Sequence, residues 1–143
     1  MKRHLIGILC LSVTACAASV PLPMPGPEKS ARPPSEVMDR DALAPRDGAG
    51  AIVVLRDKTR FWRKRCIYDI SLDGQPVAGL RNGEQVTLYA DPGGRVLAVS
   101  IRPEEKCDAV SAQVPVNVVA SATTRIRVVA DVSYALHVES TTY

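Results

Sequence analysis

The feature that most constrains the fold is a series of short apolar runs, each bounded by Gly, Asn, Asp or Pro, that begins after Gly48. The run Ala51–Leu55 is continuously apolar, which is typical of an interior strand. Cys66–Leu72 alternates apolar and polar residues, as a half-buried strand does. No segment has a sustained 3.6-residue period. Further strand-like runs cover residues 77–80, 85–90, 95–102, 114–120, 124–130 and 134–138.

This spacing predicts an all-β fold, a single small antiparallel β-sandwich of about seven to eight strands over residues 49–143. The chain has 143 residues, which suffices for one domain of ordinary size. Aromatic residues make up only 4% of it, so we expect a core of Val, Ile, Leu and Ala.

The turns between the runs carry a family resemblance. Leu72–Val77 reads Leu-Asp-Gly-Gln-Pro-Val, Leu80–Gly83 reads Leu-Arg-Asn-Gly, and Ala90–Gly94 reads Ala-Asp-Pro-Gly-Gly. Over about residues 51 to 138 the chain resembles the small PEGA-type and transthyretin-like domains of bacterial lipoproteins. That resemblance implies a β-sandwich that acts as a binding or scaffold module. It implies no activity, because a fold alone does not specify function.

The N-terminus predicts export. Lys2 and Arg3 precede an apolar stretch over residues 5–13 that contains only Gly7 and Ser12 as interruptions. A stretch this short cannot cross a hydrocarbon layer of about 30 Å as a helix, which needs roughly 20 residues. Residues 1–15 are therefore interpreted as a cleaved signal peptide.

The signal peptide ends in Val13-Thr14-Ala15-Cys16, which resembles the lipobox of bacterial lipoproteins. The resemblance implies cleavage before Cys16 and fatty acylation (palmitate or a similar chain) of its thiol and amino group. Two or three acyl chains give a lasting membrane anchor. Ala17 is not the Asp that marks inner-membrane retention in the enteric sorting rule, which implies the periplasmic face of the outer membrane. The alternative is an ordinary secretory signal cut after Ala15 or Ala18, with Cys16 unmodified.

Residues 16–48 are predicted to be a lipidated cysteine followed by a flexible, Pro-rich linker. Seven of the 11 prolines fall in this stretch. The alternation Pro-Leu-Pro-Met-Pro-Gly-Pro over residues 21–27 favours extended polyproline II and excludes a helix. We interpret the stretch as a tether between membrane and domain.

The four cysteines are accounted for in this scheme. Cys10 leaves with the signal peptide and Cys16 carries lipid, so Cys66 and Cys107 remain as an even pair in an oxidising compartment. We expect them to form a disulfide. A redox pair or a metal site is disfavoured, because the chain has no CxxC motif and no His near either cysteine.

A basic segment over residues 56–65 is the candidate binding surface. It holds six basic residues, one acid and two aromatic residues, and it could place cations on phosphate or carboxylate while aromatic rings anchor at an interface. Nucleic acid is not expected as a partner in the periplasm. The alternative is a hairpin that links the first two strands, with Trp62 folded back over the end of the sandwich and the charges only solvated. The candidate residues are Arg56, Lys58, Arg60, Phe61, Trp62, Arg63, Lys64 and Arg65.

The sequence predicts no catalytic residue, no metal site and no cofactor. His137 is the only histidine of the mature chain, and with Ser133 and Asp131 it lacks the nucleophile turn and oxyanion hole of a hydrolase. Acidic residues beside Cys107 have no calcium-loop spacing, so we expect them to solvate a turn; these are Glu104, Glu105 and Asp108.

These observations together predict a non-enzymatic lipoprotein that binds a protein partner or serves as a scaffold in an envelope or secretion assembly. Binding of lipopolysaccharide or peptidoglycan through residues 56–65 is the first alternative. A periplasmic inhibitor, and after it a hydrolase, is the second. Arg125 and Arg127 also predict an exposed sheet face, whose edge strand could pair with another chain.

Overall fold

The computed structural model describes residues 31–59, 62–104, 106–130 and 136–142. Within these ranges the chain forms strands and two short 3₁₀ helices, Asp41–Leu43 and Trp62–Arg65, but no α-helix. The predicted all-β fold is therefore confirmed. The predicted signal peptide, Cys16 and the linker up to residue 30 lie outside the described residues. The strands are β1 Glu36–Val37, β2 Gly50–Arg56, β3 Tyr68–Leu72, β4 Gln75–Leu80, β5 Gln85–Ala90, β6 Gly93–Ile101, β7 Ser111–Val118, β8 Thr123–Ala130 and β9 Leu136–Thr142.

The strands form two sheets. The order is β1-β4-β3-β6-β7 in the five-stranded sheet and β5-β2-β8-β9 in the four-stranded one. Alternation along each strand turns one apolar face of each sheet inward, and these faces form one buried cluster. As expected from the composition, the cluster is mainly aliphatic, with Tyr68 its one aromatic member in the described chain. Fully buried members include Ile52, Val54, Ile70, Leu80, Leu88, Leu97, Val99 and Ile126.

One strand pairing departs from the antiparallel prediction. In the described chain β2 pairs with β8 in parallel, with Val53 opposite Arg125 and Leu55 opposite Arg127. Parallel neighbours need a long connection. Most of the chain between β2 and β8 supplies it by building the other sheet. The sandwich is therefore mixed.

The segment over residues 31–48, which the sequence assigns to the linker, packs on the sandwich. β1 pairs antiparallel with β4, with Glu36 opposite Gly79. Ala42 and Leu43 pack against the buried cluster from the 3₁₀ helix that follows. Part of the stretch that the sequence assigns to the linker therefore belongs to the packed domain. We call residues 32–38 the strap.

Candidate functional site

The structure describes most of the basic segment. β2 ends in Arg56, and the 3₁₀ helix Trp62–Arg65 follows before β3 begins. Arg60, Phe61 and the side chain of Trp62 lie outside the described part. The segment thus joins the two sheets at one end of the sandwich. It is not the hairpin of the alternative interpretation, because β2 and β3 lie in different sheets.

Arg56 is a correction to the predicted binding surface, because it is buried with 1% of its area exposed. Its Nη1 donates to the carbonyl oxygens of Cys66 and of Leu80, the latter at 2.8 Å, and its Nη2 donates to the carbonyl oxygen of Arg63 at 2.8 Å. The guanidinium lies over the ring of Tyr68, 3.8 Å from its centroid. Arg56 therefore fastens the end of one sheet to the other and is not available to a partner.

The other described cations of the segment divide into two kinds. Arg63 is buried, with 6% of its area exposed, so it too contributes little to the surface. Lys58, Lys64 and Arg65 are exposed. The predicted surface is thus reduced to these three residues within the described part of the segment.

A turn between β4 and β5 holds the start of the segment. The amide N–H of Thr59 donates to Asn82 Oδ1 at 2.8 Å, and Asn82 Nδ2 donates to the Thr59 carbonyl at 3.2 Å. Gly83 has a φ of +74°, and a Cβ on it would lie 2.7 Å from Lys58 Cγ. The Asn-Gly turn was visible in the sequence, but its contact with residues 58 and 59 was not.

The strap reaches the same end of the molecule, and sequence reasoning missed it. The Arg32 amide donates to the Gly83 carbonyl at 3.2 Å, and the Arg32 carbonyl accepts from the Gln85 amide at 2.8 Å. Arg32 Nη2 also donates to the Asn82 carbonyl at 3.1 Å. Arg32 therefore lies beside the turn that holds Thr59.

Glu84 anchors the strap from inside the fold. It is 4% exposed, and its Oε2 accepts from the Ser35 amide at 3.1 Å, from Ser35 Oγ at 3.2 Å and from the Arg81 amide at 2.8 Å. These bonds satisfy a buried carboxylate that would otherwise be costly. The signal that could have revealed them is the lone acid in the turn Arg81-Asn82-Gly83-Glu84.

Ion pairs reinforce the strap and the sheet beneath it. Arg102 bridges two carboxylates, with Nη1 at 3.0 Å from Glu36 Oε2 and Nη2 at 2.6 Å from Asp69 Oδ1. The hydrogen bond with Asp69, followed by that with Glu36, raises the pKa of Arg102. Arg127 pairs with Asp57. The sequence predicts that Arg125 and Arg127 lie on an exposed sheet face. In the structure Arg127 is already bound to a carboxylate of the same chain.

The expected disulfide between Cys66 and Cys107 is confirmed. The two Cα atoms are 5.7 Å apart, and both residues are buried. The bridge brings the loop after β6 beside the basic segment. Arg65 and Lys106 each precede a half-cystine and are exposed, so the bridge adds Lys106 to the cations at this end.

We call this end the tether end and define it by its described residues, which are Arg32, residues 56–59 and 62–65, the 81–84 turn and residues 102–104 and 106–110. Among its described residues, exposed cations outnumber exposed acids. The exposed acids are Glu104 and Asp108. The cations are Arg32, Lys58, Lys64, Arg65, Arg81 and Lys106.

The opposite end has a cleft of about 330 Å³ between the 3₁₀ helix Asp41–Leu43 and the β3–β4 and β5–β6 turns. Its carboxylates make local contacts. Asp39 Oδ1 accepts from the Asp41 amide at 2.9 Å, and Asp73 Oδ1 accepts from the Val96 amide at 2.8 Å. The Val96 bond, with help from Arg95, lowers the pKa of Asp73. The carboxylates Asp39 and Asp73 therefore stabilise the turns beside them.

Little else in the described chain suggests chemistry. No group of three metal-binding side chains occurs among the residues covered. Glu104 is in a described loop and Asp108 is exposed, while Glu105, Asp131 and Ser133 lie outside that coverage. His137 is exposed on β9. None of the helices in the covered ranges has the length and apolar character that a bilayer crossing requires.

The chain matches no family model and no curated protein sequence. The strand pairing itself establishes a small all-β domain of two sheets. No family match supports the resemblance to PEGA-type and transthyretin-like domains, which stays a prediction.

Proposed function

We propose that this chain is a non-enzymatic, lipid-anchored binding module of a bacterial envelope, held through Cys16 at the periplasmic face of the outer membrane. The observation that carries the proposal is the buried disulfide Cys66–Cys107, because such bonds persist in oxidising compartments. The signal-like residues 1–15 and the lipobox-like Val13–Cys16 agree with export.

A protein partner is supported by exposed apolar side chains on the edge of the five-stranded sheet. Val37 is 42% exposed and Met38 is 46% exposed, and they lie at the end of β1, the edge strand. Edge strands offer backbone groups to another chain, and adjacent apolar side chains favour such contacts. The polar side chains nearby stabilise the fold instead, as Glu84 and Arg102 do.

The anchor is tested by intact mass spectrometry of the chain from bacterial envelopes. We expect a polypeptide beginning at Cys16 that carries diacylglycerol and an N-acyl chain, and we expect Cys16→Ser to abolish the added mass. An unmodified thiol at Cys16 would contradict the anchor.

The protein partner is tested by photo-crosslinking in living cells. A photoreactive residue at position 37 or 38 is expected to form adducts with an envelope protein. The same residue at position 96 is the matched control, because Val96 is 44% exposed but lies on β6 in the sheet interior. Equal adducts at position 96, or none at 37 and 38, would contradict a docking edge.

Binding of anionic envelope polymers is a second candidate, favoured by the exposed Lys58, Lys64 and Arg65. Because Arg56 and Arg63 are buried, fewer cations are available for polymer binding than the sequence predicts. The test is sedimentation with lipopolysaccharide and with peptidoglycan. The double variant Lys64→Glu/Arg65→Glu should lose salt-sensitive binding if this function holds.

A further inference from the structure

The charges of the described chain are segregated between the two ends of the sandwich. Among the described residues, the tether end exposes six cations and two acids. The opposite end has the reverse balance, with four exposed acids, Asp41, Asp47, Asp73 and Asp91, and two exposed cations, Arg40 and Arg46. A molecule with this distribution is oriented by a charged surface, because a field acts on its ends in opposite directions.

The segment that would carry the anchor joins the described chain at the basic end. Arg32 is hydrogen-bonded to Gly83 and Asn82 in the turn that also contacts Thr59. Ala17–Ala31 joins this point to Cys16 and contains 15 residues. Even in fully extended polyproline II, a chain of that length reaches only about 45 Å. The surface closest to the cations would then be the leaflet that holds the acyl chains.

We propose that the tether end docks on anionic phospholipid headgroups of the leaflet in which the chain is anchored. The proposal rests on the proposed anchor at Cys16 and adds an orientation to it. In this orientation the exposed Arg32, Lys64 and Arg65 face the headgroup phosphates. The acidic cleft points away from the bilayer, and the Val37–Met38 edge does not face it. A short tether keeps the local concentration high, so a modest attraction suffices. Each basic residue near an anionic membrane strengthens binding about fivefold.

The test measures how close the tether end lies to a bilayer. The chain from Cys16 onward is coupled through the Cys16 thiol to a maleimide lipid, since Cys66 and Cys107 are bonded to each other. The vesicles contain either phosphatidylcholine alone or phosphatidylcholine with phosphatidylglycerol, and each holds a trace of dansyl lipid. Trp62, the single tryptophan, lies in the basic segment and serves as the fluorescence donor.

We expect stronger energy transfer on the phosphatidylglycerol vesicles, and we expect high salt to abolish the difference. Lys64→Glu/Arg65→Glu should reduce the docked fraction about tenfold or more. Arg40→Glu/Arg46→Glu is the matched control, because it makes the same charge change at the opposite end and should leave transfer nearly unchanged. Circular dichroism checks that both variants fold.

Equal transfer on both vesicles overturns the proposal, as does an equal loss in both double variants, which would report net charge rather than orientation. Chemical coupling makes this result independent of the cell's own acylation. A native chain without lipid at Cys16 would therefore count against the proposed anchor, whereas failed transfer would count against docking.

Discussion

The guanidinium carbon of Arg56 lies 3.8 Å from the centroid of the Tyr68 ring, inside the sandwich. Arg56 ends β2 of one sheet and Tyr68 begins β3 of the other. Burial lowers the pKa of Arg56 to about 10, with Tyr68 and then Glu84 opposing the shift, so the side chain stays charged at neutral pH. Bonds from Nη1 and Nη2 to three carbonyl oxygens offset much of the cost of burying this cation, although its Nε has no hydrogen-bond partner in the described chain.

The first prediction concerns the shape of that cation. Arg56→Lys keeps the charge but replaces the planar guanidinium by an ammonium group. That group cannot donate to all three carbonyl oxygens, those of Cys66, Leu80 and Arg63. We expect the free energy of unfolding, measured by urea denaturation, to fall by about 2–3 kcal/mol. Arg65→Lys is the control at an exposed position and should change it by less than about 0.5 kcal/mol. Equal effects of the two variants would show that the buried fork contributes nothing.

The second prediction concerns the disulfide. Cys66 and Cys107 are 41 positions apart, and closing a loop of that size restricts the unfolded chain. We expect Cys66→Ala/Cys107→Ala to lower the free energy of unfolding by about 4 kcal/mol in guanidinium titrations. Dithiothreitol should destabilise the parent chain and have no effect on the double variant. A parent chain indifferent to reductant would contradict a structural role for the bond.

Much of the fold was predictable because local pattern and burial agree. The run over residues 85–90 coincides with β5, whose Val86, Leu88 and Ala90 are buried while the residues between them are not. Turn residues such as Asn82-Gly83 stand where the strands end. The cysteine pairing followed from counting. In these cases an alternating apolar pattern, a turn sequence and an even number of cysteines are each compatible with few structures.

The parts that escaped prediction depend on contacts between distant residues. Arg56 follows an apolar run and precedes further cations, so its sequence context is typical of a solvated loop. Its burial depends on carbonyl groups that arrive from Cys66 and Leu80. Likewise the strap is held by backbone pairing with β4 and by Glu84, which composition cannot reveal. The parallel pairing of β2 with β8 is equally invisible to local pattern.

The third prediction concerns the attachment of the strap. Glu84→Gln keeps the size of the side chain but removes the charge that accepts from Ser35 and from the Arg81 amide. Hydrogen bonds to a charged acceptor are the stronger kind. We therefore expect a loss of about 1–2 kcal/mol in the free energy of unfolding. The amide proton of Ser35 should also exchange faster with solvent.

Glu36→Gln is the control for Glu84→Gln, since it makes the same chemical change within the strap. Glu36 is partly exposed and pairs with Arg81 and Arg102. Such a pair contributes less than about 1 kcal/mol. Slower or unchanged exchange at Ser35 in Glu84→Gln would argue that backbone pairing alone holds the strap.

The fourth prediction concerns acid sensitivity at the β3–β4 turn. The amide of Val96, and after it Arg95, lowers the pKa of Asp73 below its ordinary value of 3.8. Ionised Asp73 therefore adds stability that is fully present above that value and is lost as pH falls through the lower, folded-state pKa. We expect the parent chain to be more stable than Asp73→Asn at neutral pH, and this difference to shrink as the pH falls below 3.8. Arg95→Gln should keep most of the pH dependence, because the Val96 bond is the larger cause. Urea titrations across this range measure both, and a difference between parent and Asp73→Asn that stays constant with pH would contradict the assignment.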